Sequence, residues 1–303
     1  MLLNDAFKTA KRSLAQSKMR SLLTMLGIII GIASVIVLMS IGKSAEALIV
    51  NQVQSVGSNL VFVIPGGSPN NRFSSPAASQ GIVITSLNER DAEALQRELS
   101  VSNVVADVRG QAQVVYGDND VTTTYNGTTA NHFAVMNMMP ERGYAFSKSD
   151  VDSLNRVAVI GQQLAMTLFG PNVDPVNKNI RVKGLTFRVV GVLPPKGTGT
   201  FGIDQDNLVL IPISVAQHEM LGINHYNDLI VEGNPAYEQS FIKSRITFIL
   251  RQNHGVTDPA KDDFTIRTQE DLLSLLGNIT SILTTFLTAI ASISLIVGGI
   301  GIM

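Results

Sequence analysis

A chain of 303 residues with 23 Lys+Arg against 24 Asp+Glu, a net charge of −1 and no cysteine gives no reason to expect nucleic-acid binding and excludes a disulfide-stapled scaffold. The mild total hides an asymmetry. Residues 1–20 carry Lys8, Lys11, Arg12, Lys18 and Arg20 against Asp5 alone, a net +4 that leaves −5 for the rest of the chain.

Taken in order, the basic segment 1–20 leads into Ser21–Gly42, which has no charged residue. That run exceeds the ~20 apolar residues an α-helix needs to cross a bilayer. It also exceeds the roughly 7–15 apolar residues of a signal peptide. A retained membrane helix over 21–42 is therefore expected rather than a cleaved leader, despite the small-x-small pattern Ala45-Glu46-Ala47. A buried core helix of that length without one charge would be unusual. The basic tail places the N-terminus in the cytoplasm and the following domain outside the membrane. Within the run, Gly27 and Gly31 are spaced G-x-x-x-G, which lets two helices pack backbone to backbone, as in a dimer.

Residues 43–57 keep apolar positions near helical spacing up to Gly57 and predict a stalk helix. Leu60–Ile64 reads as a buried strand closed by Pro65-Gly66-Gly67, and 68–79, rich in Ser, Asn and Pro, as a loop. A strand–helix–strand unit follows. Its parts are Ile82–Ile84, a helix opened by the Ser86-x-x-Glu89 capping-box spacing and lined by Ala92, Leu95 and Leu99, and the strand Val104–Val108. A similar unit comprises Asp228–Val231, a helix over about Tyr237–Asn253 stopped near Gly255, and Phe264–Ile266. Two such units predict one split βαβ sheet with helices on one face. Between them a β-rich insertion is expected at about 175–215. It holds a hairpin in Ile180–Val192 turning at Lys183-Gly184, and a strand at Asn207–Ile213.

Thr268-Gln269-Glu270-Asp271 has the form of a second capping box, starting a helix that continues into Leu272–Met303, again without a charge. The predicted fold class is thus an α+β membrane protein. A two-lobed extracytoplasmic domain, 43–277, lies between transmembrane helices at 21–42 and 278–303. The second is expected to be incomplete, because no basic stop follows it.

Enzyme chemistry has few candidates. His132, His218, His225 and His254 are scattered and read as surface residues; His218-Glu219 is not followed by the histidine of a zinc helix. Asp204-x-Asp206-Asn207 imitates a calcium-loop start but has Val215 where the bidentate Glu belongs, so an Asx turn before a strand is the better reading. There is no G-x-x-x-x-G-K-[ST] loop for ATP. Neither uncharged run offers a titratable group for an ion-coupled pathway.

Four segments in order carry a family resemblance. RSLLTMLGIIIGIASVIVLMSIGKSA (20–45), VGSNLVFVIPGG (56–67), KGTGTFGIDQDNLVLIP (196–212) and LTTFLTAIASISLIVGGIGIM (283–303) resemble MacB-type permeases of ABC transporters, of the wider FtsX-like group. The third looks like a signature loop of the family's outer domain, here Lys196, Gly197, Phe201, Gly202, Asp204, Asp206 and Asn207. The resemblance implies a homodimeric inner-membrane permease that is not itself an enzyme and moves its outer domain when a separate cytoplasmic ATPase binds ATP and Mg. It implies membrane lipid as the surroundings, no cofactor in this chain, and a periplasmic adaptor and outer-membrane channel as further partners. Export of a peptide, antibiotic or lipid-like substrate follows from it. The other reading of the layout is a two-helix sensor with an extracytoplasmic ligand-binding domain.

Overall fold

The computed structural model describes residues 59–66, 84–197 and 204–302, with helical positions between 25 and 44. Gly27, Gly31, Phe201, Gly202, most of the stalk, the loop 68–79 and Ile82 lie outside the described residues. The chain falls into two compact units, Gln52–Gln269 and Met1–Asn51 with Glu270–Met303.

The larger unit is built on one ten-stranded sheet. Its first strand is β1 (Leu60–Pro65), followed by helix α1 (Glu89–Gln96), β2 (Val101–Tyr116) and β3 (Asn119–Thr128). Next come α2 (His132–Val135), β4 (Arg142–Gly143), α3 (Lys148–Asp152), β5 (Val157–Ile160) and α4 (Gln162–Phe169). Then follow β6 (Asn179–Val182), β7 (Leu185–Val192), β8 (Leu208–Pro212), a short α5 (Ile213–Val215) extended by a π turn, and β9 (Asp228–Gly233). The long helix α6 (Gln239–His254) returns the chain to β10 (Phe264–Thr268).

At one end the strand order is β10-β1-β9-β2, with β1 antiparallel to both β9 and β10, and β9 antiparallel to β2. Strands β1 and β2 are therefore parallel and joined through α1, while β9 and β10 are parallel and joined through α6. These are two interleaved βαβ units, the ferredoxin-like order with everything from β3 to β8 inserted between the second and third strands. The split βαβ expectation holds, with one correction. The first strand of the first unit is β1, and Ile84 is not in a strand. β1 is apolar at every position from Leu60 to Ile64 and can be covered on both faces, whereas Ile82–Ile84 is too short to compete.

Capping also differs from expectation. Asn88 caps α1, accepting from the Arg90 amide at 2.9 Å, and the Asp91 carboxylate accepts from the Asn88 amide at 3.0 Å. Ser86 instead donates to the Asp263 carbonyl, 2.9 Å away. The helix ends at Gln96, leaving Leu99 exposed. The Lys183-Gly184 hairpin is observed as read; both residues take positive φ, +49° and +85°, as a two-residue turn between twisted strands requires. The strands β6, β7 and β8 fill the stretch expected to be β-rich. Their lobe also holds β3 to β5 and helices α2 to α4, with β3 parallel to β8 and β5 parallel to β7.

One face of the sheet is sealed by helices. In the first lobe Val61, Val63, Val104, Ala106, Leu229 and Val231 meet Leu95 of α1 and Ile242, Ile246 and Leu250 of α6. The α6 contacts recur every four residues, one stripe of the helix. In the inserted lobe Tyr125, Ile180, Phe187, Val209 and Ile211 pack on Leu164 and Leu168 of α4.

The smaller unit contains the helical positions between 25 and 44 and nearly all of α7 (Gln269–Ile302). A Cβ on Gly42 would sit 3.3 Å from Thr280 Cγ2, so the two helices approach closely there. At ~1.5 Å per residue, α7 is about 50 Å long. Among the described residues no helix is long and apolar enough to cross a membrane.

A polar clasp joins three elements of the larger unit. His254, at the end of α6, places Nδ1 2.7 Å from Asp263 Oδ1 before β10, and Nε2 3.2 Å from Asp91 Oδ2 in α1. Asn253 donates to the other Asp91 oxygen at 2.9 Å. Burial alone would lower the His254 pKa, but the two carboxylates outweigh it and the imidazolium is favoured. A raised folded-state pKa gives stability that is complete below about pH 6.5, the unfolded value. It is lost as pH rises through the higher folded value. The thermal midpoint of the wild-type chain should therefore exceed that of a His254→Asn variant most below pH ~6.5 and less at each higher pH. A gap independent of pH in thermal melts would refute the clasp.

Candidate functional site

The face of the sheet opposite α1, α4 and α6 carries the chemistry. Side chains alternate along a strand, so β2 sends Val104, Ala106 and Val108 to the helices and Val105, Asp107 and Arg109 to the other side. By the same alternation β1 contributes Phe62 and Ile64, β9 Asp228 and Ile230, β3 Thr124 and Asn126, and β8 Leu208 and Leu210. Helix α2 covers part of this face, burying Val135 against Leu60, Phe62, Val105 and Ile230. Beside it lies a cavity of about 380 Å³ lined by residues of five strands, by His132, Met136 and Met138, and by Gln205 and Asn227.

Charge gathers at one end of this cavity. Asp107 is 1% exposed; its Oδ1 accepts from Thr128 Oγ1 at 2.5 Å and lies 3.5 Å from His132 Nδ1. Its Oδ2 accepts from Asn126 Nδ2 at 3.1 Å and lies 3.6 Å from Arg109 Nη2. Arg109 also donates from Nη2 to Asp228 Oδ2 at 3.0 Å. The two carboxylates differ in environment. Burial pushes the Asp228 carboxyl up to about 7, against the pull of Arg109 and with the repulsion of Asp107. Burial also acts on Asp107, but His132, Arg109 and the Thr128 hydroxyl outweigh it and hold the group at about 2. Arg109 is disfavoured by burial and more than compensated by Asp228 and Asp107, so it stays charged.

A second cleft of about 410 Å³ adjoins the first, sharing Arg109 and Thr124; its other walls are Gln111, Thr122, Thr123, Asp204 and Asn207. The structure therefore brings the described part of the sequence-predicted loop to the edge of both cavities. Asp206 organises it. Its Oδ1 accepts from the Lys196 amide at 2.7 Å and its Oδ2 from the Gly197 amide at 2.9 Å, tying the two ends of the loop together. The Asp206 amide donates to Asp204 Oδ1 at 3.0 Å, the Asx turn expected there. Lys196 Nζ reaches the Asn137 carbonyl at 2.5 Å. On the other side a Cβ at Gly161 would meet the Asp206 carbonyl oxygen at 2.4 Å, so only glycine allows α4 to start there. Among the described residues no group of three or more His, Cys, Asp or Glu could hold a metal ion.

Asp107, Arg109, Asp228 and His132 were not candidates from sequence. Their one visible signal is two charges at alternate positions in the otherwise apolar run VVADVRG, which puts both on one face of a strand. The surface assignment of the histidines is corrected for two of them. His132 is buried beside Asp107 of β2, and the His254 side chain is buried between Asp91 of α1 and Asp263 just before β10, while His218 is exposed.

A family model, the MacB-like periplasmic core domain, matches residues 21–249. The chain belongs to this family. The resemblance read from four sequence segments is thus borne out. Among relatives, the macrolide export ATP-binding/permease protein MacB of Azoarcus sp. (strain BH72) is 35% identical over 302 residues, 99% of this chain and 43% of that protein. The pyoverdine export ATP-binding/permease protein PvdT of Pseudomonas savastanoi pv. phaseolicola is 32% identical over 300 residues. The chain spans less than half the length of the curated relatives it matches. In fold it is similar to the periplasmic region of MacB from Actinobacillus actinomycetemcomitans, with a TM-score of 0.63 and 21% identity over 76% of this chain and 98% of that one. The extracellular domain of the transporter YknZ from Gram-positive bacteria gives 0.54 and 22%, over 69% of this chain and 100% of that one.

The Asp206 geometry makes one prediction. Charge-assisted hydrogen bonds contribute about 1.5–3 kcal/mol each, so Asp206→Ala should speed amide exchange at Lys196 and Gly197 at least tenfold. Unchanged exchange at both amides would show that another contact holds the loop.

Proposed function

We propose that this chain is the permease part of an ABC transporter, in which a separate cytoplasmic ATPase drives movements of the outer domain to export a peptide, antibiotic or lipid-like molecule. The observation that carries the reading is the position of the two strands through which the outer domain joins the rest of the chain. β1, reached from the N-terminal helix, and β10, which runs directly into α7, are hydrogen-bonded neighbours with Val61 opposite Thr268. Both connections therefore leave the sheet at the same end of the same strand pair. A pull or twist on either helix is delivered to the pair that edges the four-stranded core. Family membership and the export proteins among the relatives support the same reading.

The membrane assignment rests on the two uncharged runs, the basic tail and the surface of α7. Ile279, Ile282, Leu283, Phe286, Ile290, Ile293 and Ile296 are exposed on that helix. Four of its hydroxyls are satisfied internally: Thr284, Thr285, Thr288 and Ser292 each donate to the carbonyl four residues back, at 2.7–2.9 Å. Exposed apolar side chains with hydroxyls turned to their own backbone suit a helix surrounded by lipid. In this reading the N-terminus is cytoplasmic, the domain after 43 is extracytoplasmic, and Gly27 and Gly31 form the packing seam of a homodimer. ATP and Mg are bound by the partner ATPase. A periplasmic adaptor and outer-membrane channel complete the path where the envelope has two membranes.

Purification of the full-length protein with its genomic neighbours, followed by an ATPase assay in lipid, tests the proposal. Co-purification of an ATPase whose turnover changes when this subunit is present is expected. Recovery of a kinase instead, or of no nucleotide-binding partner, would favour the sensor.

A further inference from the structure

The cavity beside α2 combines features that select a ligand class. Most of its wall is apolar, with Phe62, Ile64, Met138, Leu210 and Ile230 among the contributors. Its volume, about 380 Å³, falls in the range of small-molecule sites, roughly 300–1,000 Å³. The polar end offers an unengaged carboxylate oxygen, and two of its buried atoms, Asn126 Oδ1 and His132 Nδ1, have no hydrogen-bond partner. Asp107 has donors on both oxygens, from Thr128 and Asn126. Asp228 receives Arg109 on Oδ2, and among the described residues Oδ1 takes no protein donor. Asn126 turns its amide nitrogen to Asp107, and its Oδ1 is buried without a partner. A buried acceptor without a donor costs about 1–3 kcal/mol. Charge points the same way, since the carboxyls of Asp107 and Asp228 share one guanidinium, Arg109, with the His132 imidazole beside Asp107.

We propose that this cavity is a binding site for a compact apolar molecule carrying one protonated amine, whose ammonium is accepted by Asp228 Oδ1 while its hydrocarbon body fills the Phe62–Ile230 side. An anion is disfavoured by the same carboxyls. A neutral alcohol of equal shape can donate one hydrogen bond but brings no charge. Thr128 takes no part in ligand contact: it is fully buried and its hydroxyl is committed to Asp107. The inference concerns binding alone and does not require the transport reading. A chain that bound the amine without any ATPase partner would retain this site and lose the proposed function.

The test uses three probes of one shape, 1-adamantanamine, 1-adamantanol and 1-adamantanecarboxylate, titrated calorimetrically against the full chain in lipid nanodiscs with empty nanodiscs subtracted. The amine should bind saturably, at least tenfold tighter than the alcohol, and the carboxylate should not bind. Asp228→Asn should weaken the amine at least tenfold and leave the alcohol unchanged. Ile64→Trp, at the half-buried end of β1 and away from the carboxyls, should abolish binding of both without lowering the thermal midpoint. Equal affinity for amine and alcohol, indifference to Asp228→Asn in a variant that still melts cooperatively, or no saturable binding by any probe would overturn the proposal.

Discussion

The antiparallel pairing of β1 with β10 is the constraint on which the rest of the larger unit depends. Five consecutive residue pairs, Val61–Thr268 through Pro65–Phe264, bring together stretches some two hundred positions apart. That closure interleaves the two βαβ units and sets α1 and α6 side by side over one face. It also leaves the other face open for the cavity. Without it β1 would lose its edge partner, and the His254 clasp, which depends on Asp263 immediately before β10, would lose one of its two carboxylates.

The two faces of the sheet divide the work. The helix-covered face is uniformly apolar and provides cohesion through burial, about 25 cal/mol per Å² of apolar surface removed from water. The open face carries a buried ionic cluster, which is weak evidence for stability because desolvation offsets attraction. Asp107 and Asp228 instead give the face its chemical character. One is fully engaged and held ionised, and the other is half engaged and close to its titration point at neutral pH. The Asp206-tied loop sits at the edge of the adjoining cleft, so the segment read as a family signature and the Asp107–Arg109–Asp228 cluster lie on one continuous surface.

Local signals in the chain are legible where the chemistry is local. The Lys183-Gly184 turn, the Asp204–Asp206 Asx turn, the strand at Leu60–Ile64 and the long helix ending at Gly255 all depend on neighbours within a few residues. Expectation and structure part where distant residues decide. Ile82–Ile84 resembled the opening strand of a βαβ unit, but β1 holds that place because two partner strands cover it. Ser86-x-x-Glu89 had capping-box spacing, yet Asn88 and Asp91 form the box while Ser86 binds across to Asp263. His132 finds Asp107, and His254 finds Asp91, only across the fold. Asp107 and Asp228 are neighbours only because β2 pairs with β9.

In the transport reading proposed above, the β1–β10 pair transmits motion between the two connected helices and the outer domain. The direct test inserts six Gly/Ser residues between Gln269 and Glu270 of the full-length protein, assembled in nanodiscs with the ATPase partner proposed for it. Spin labels at Lys148→Cys in paired copies report the separation of the outer domains, the chain having no native cysteine. With the native junction an ATP-dependent change in that separation is expected, and with the insertion its loss, while the domain still melts normally. A change of the same size in both would contradict that reading.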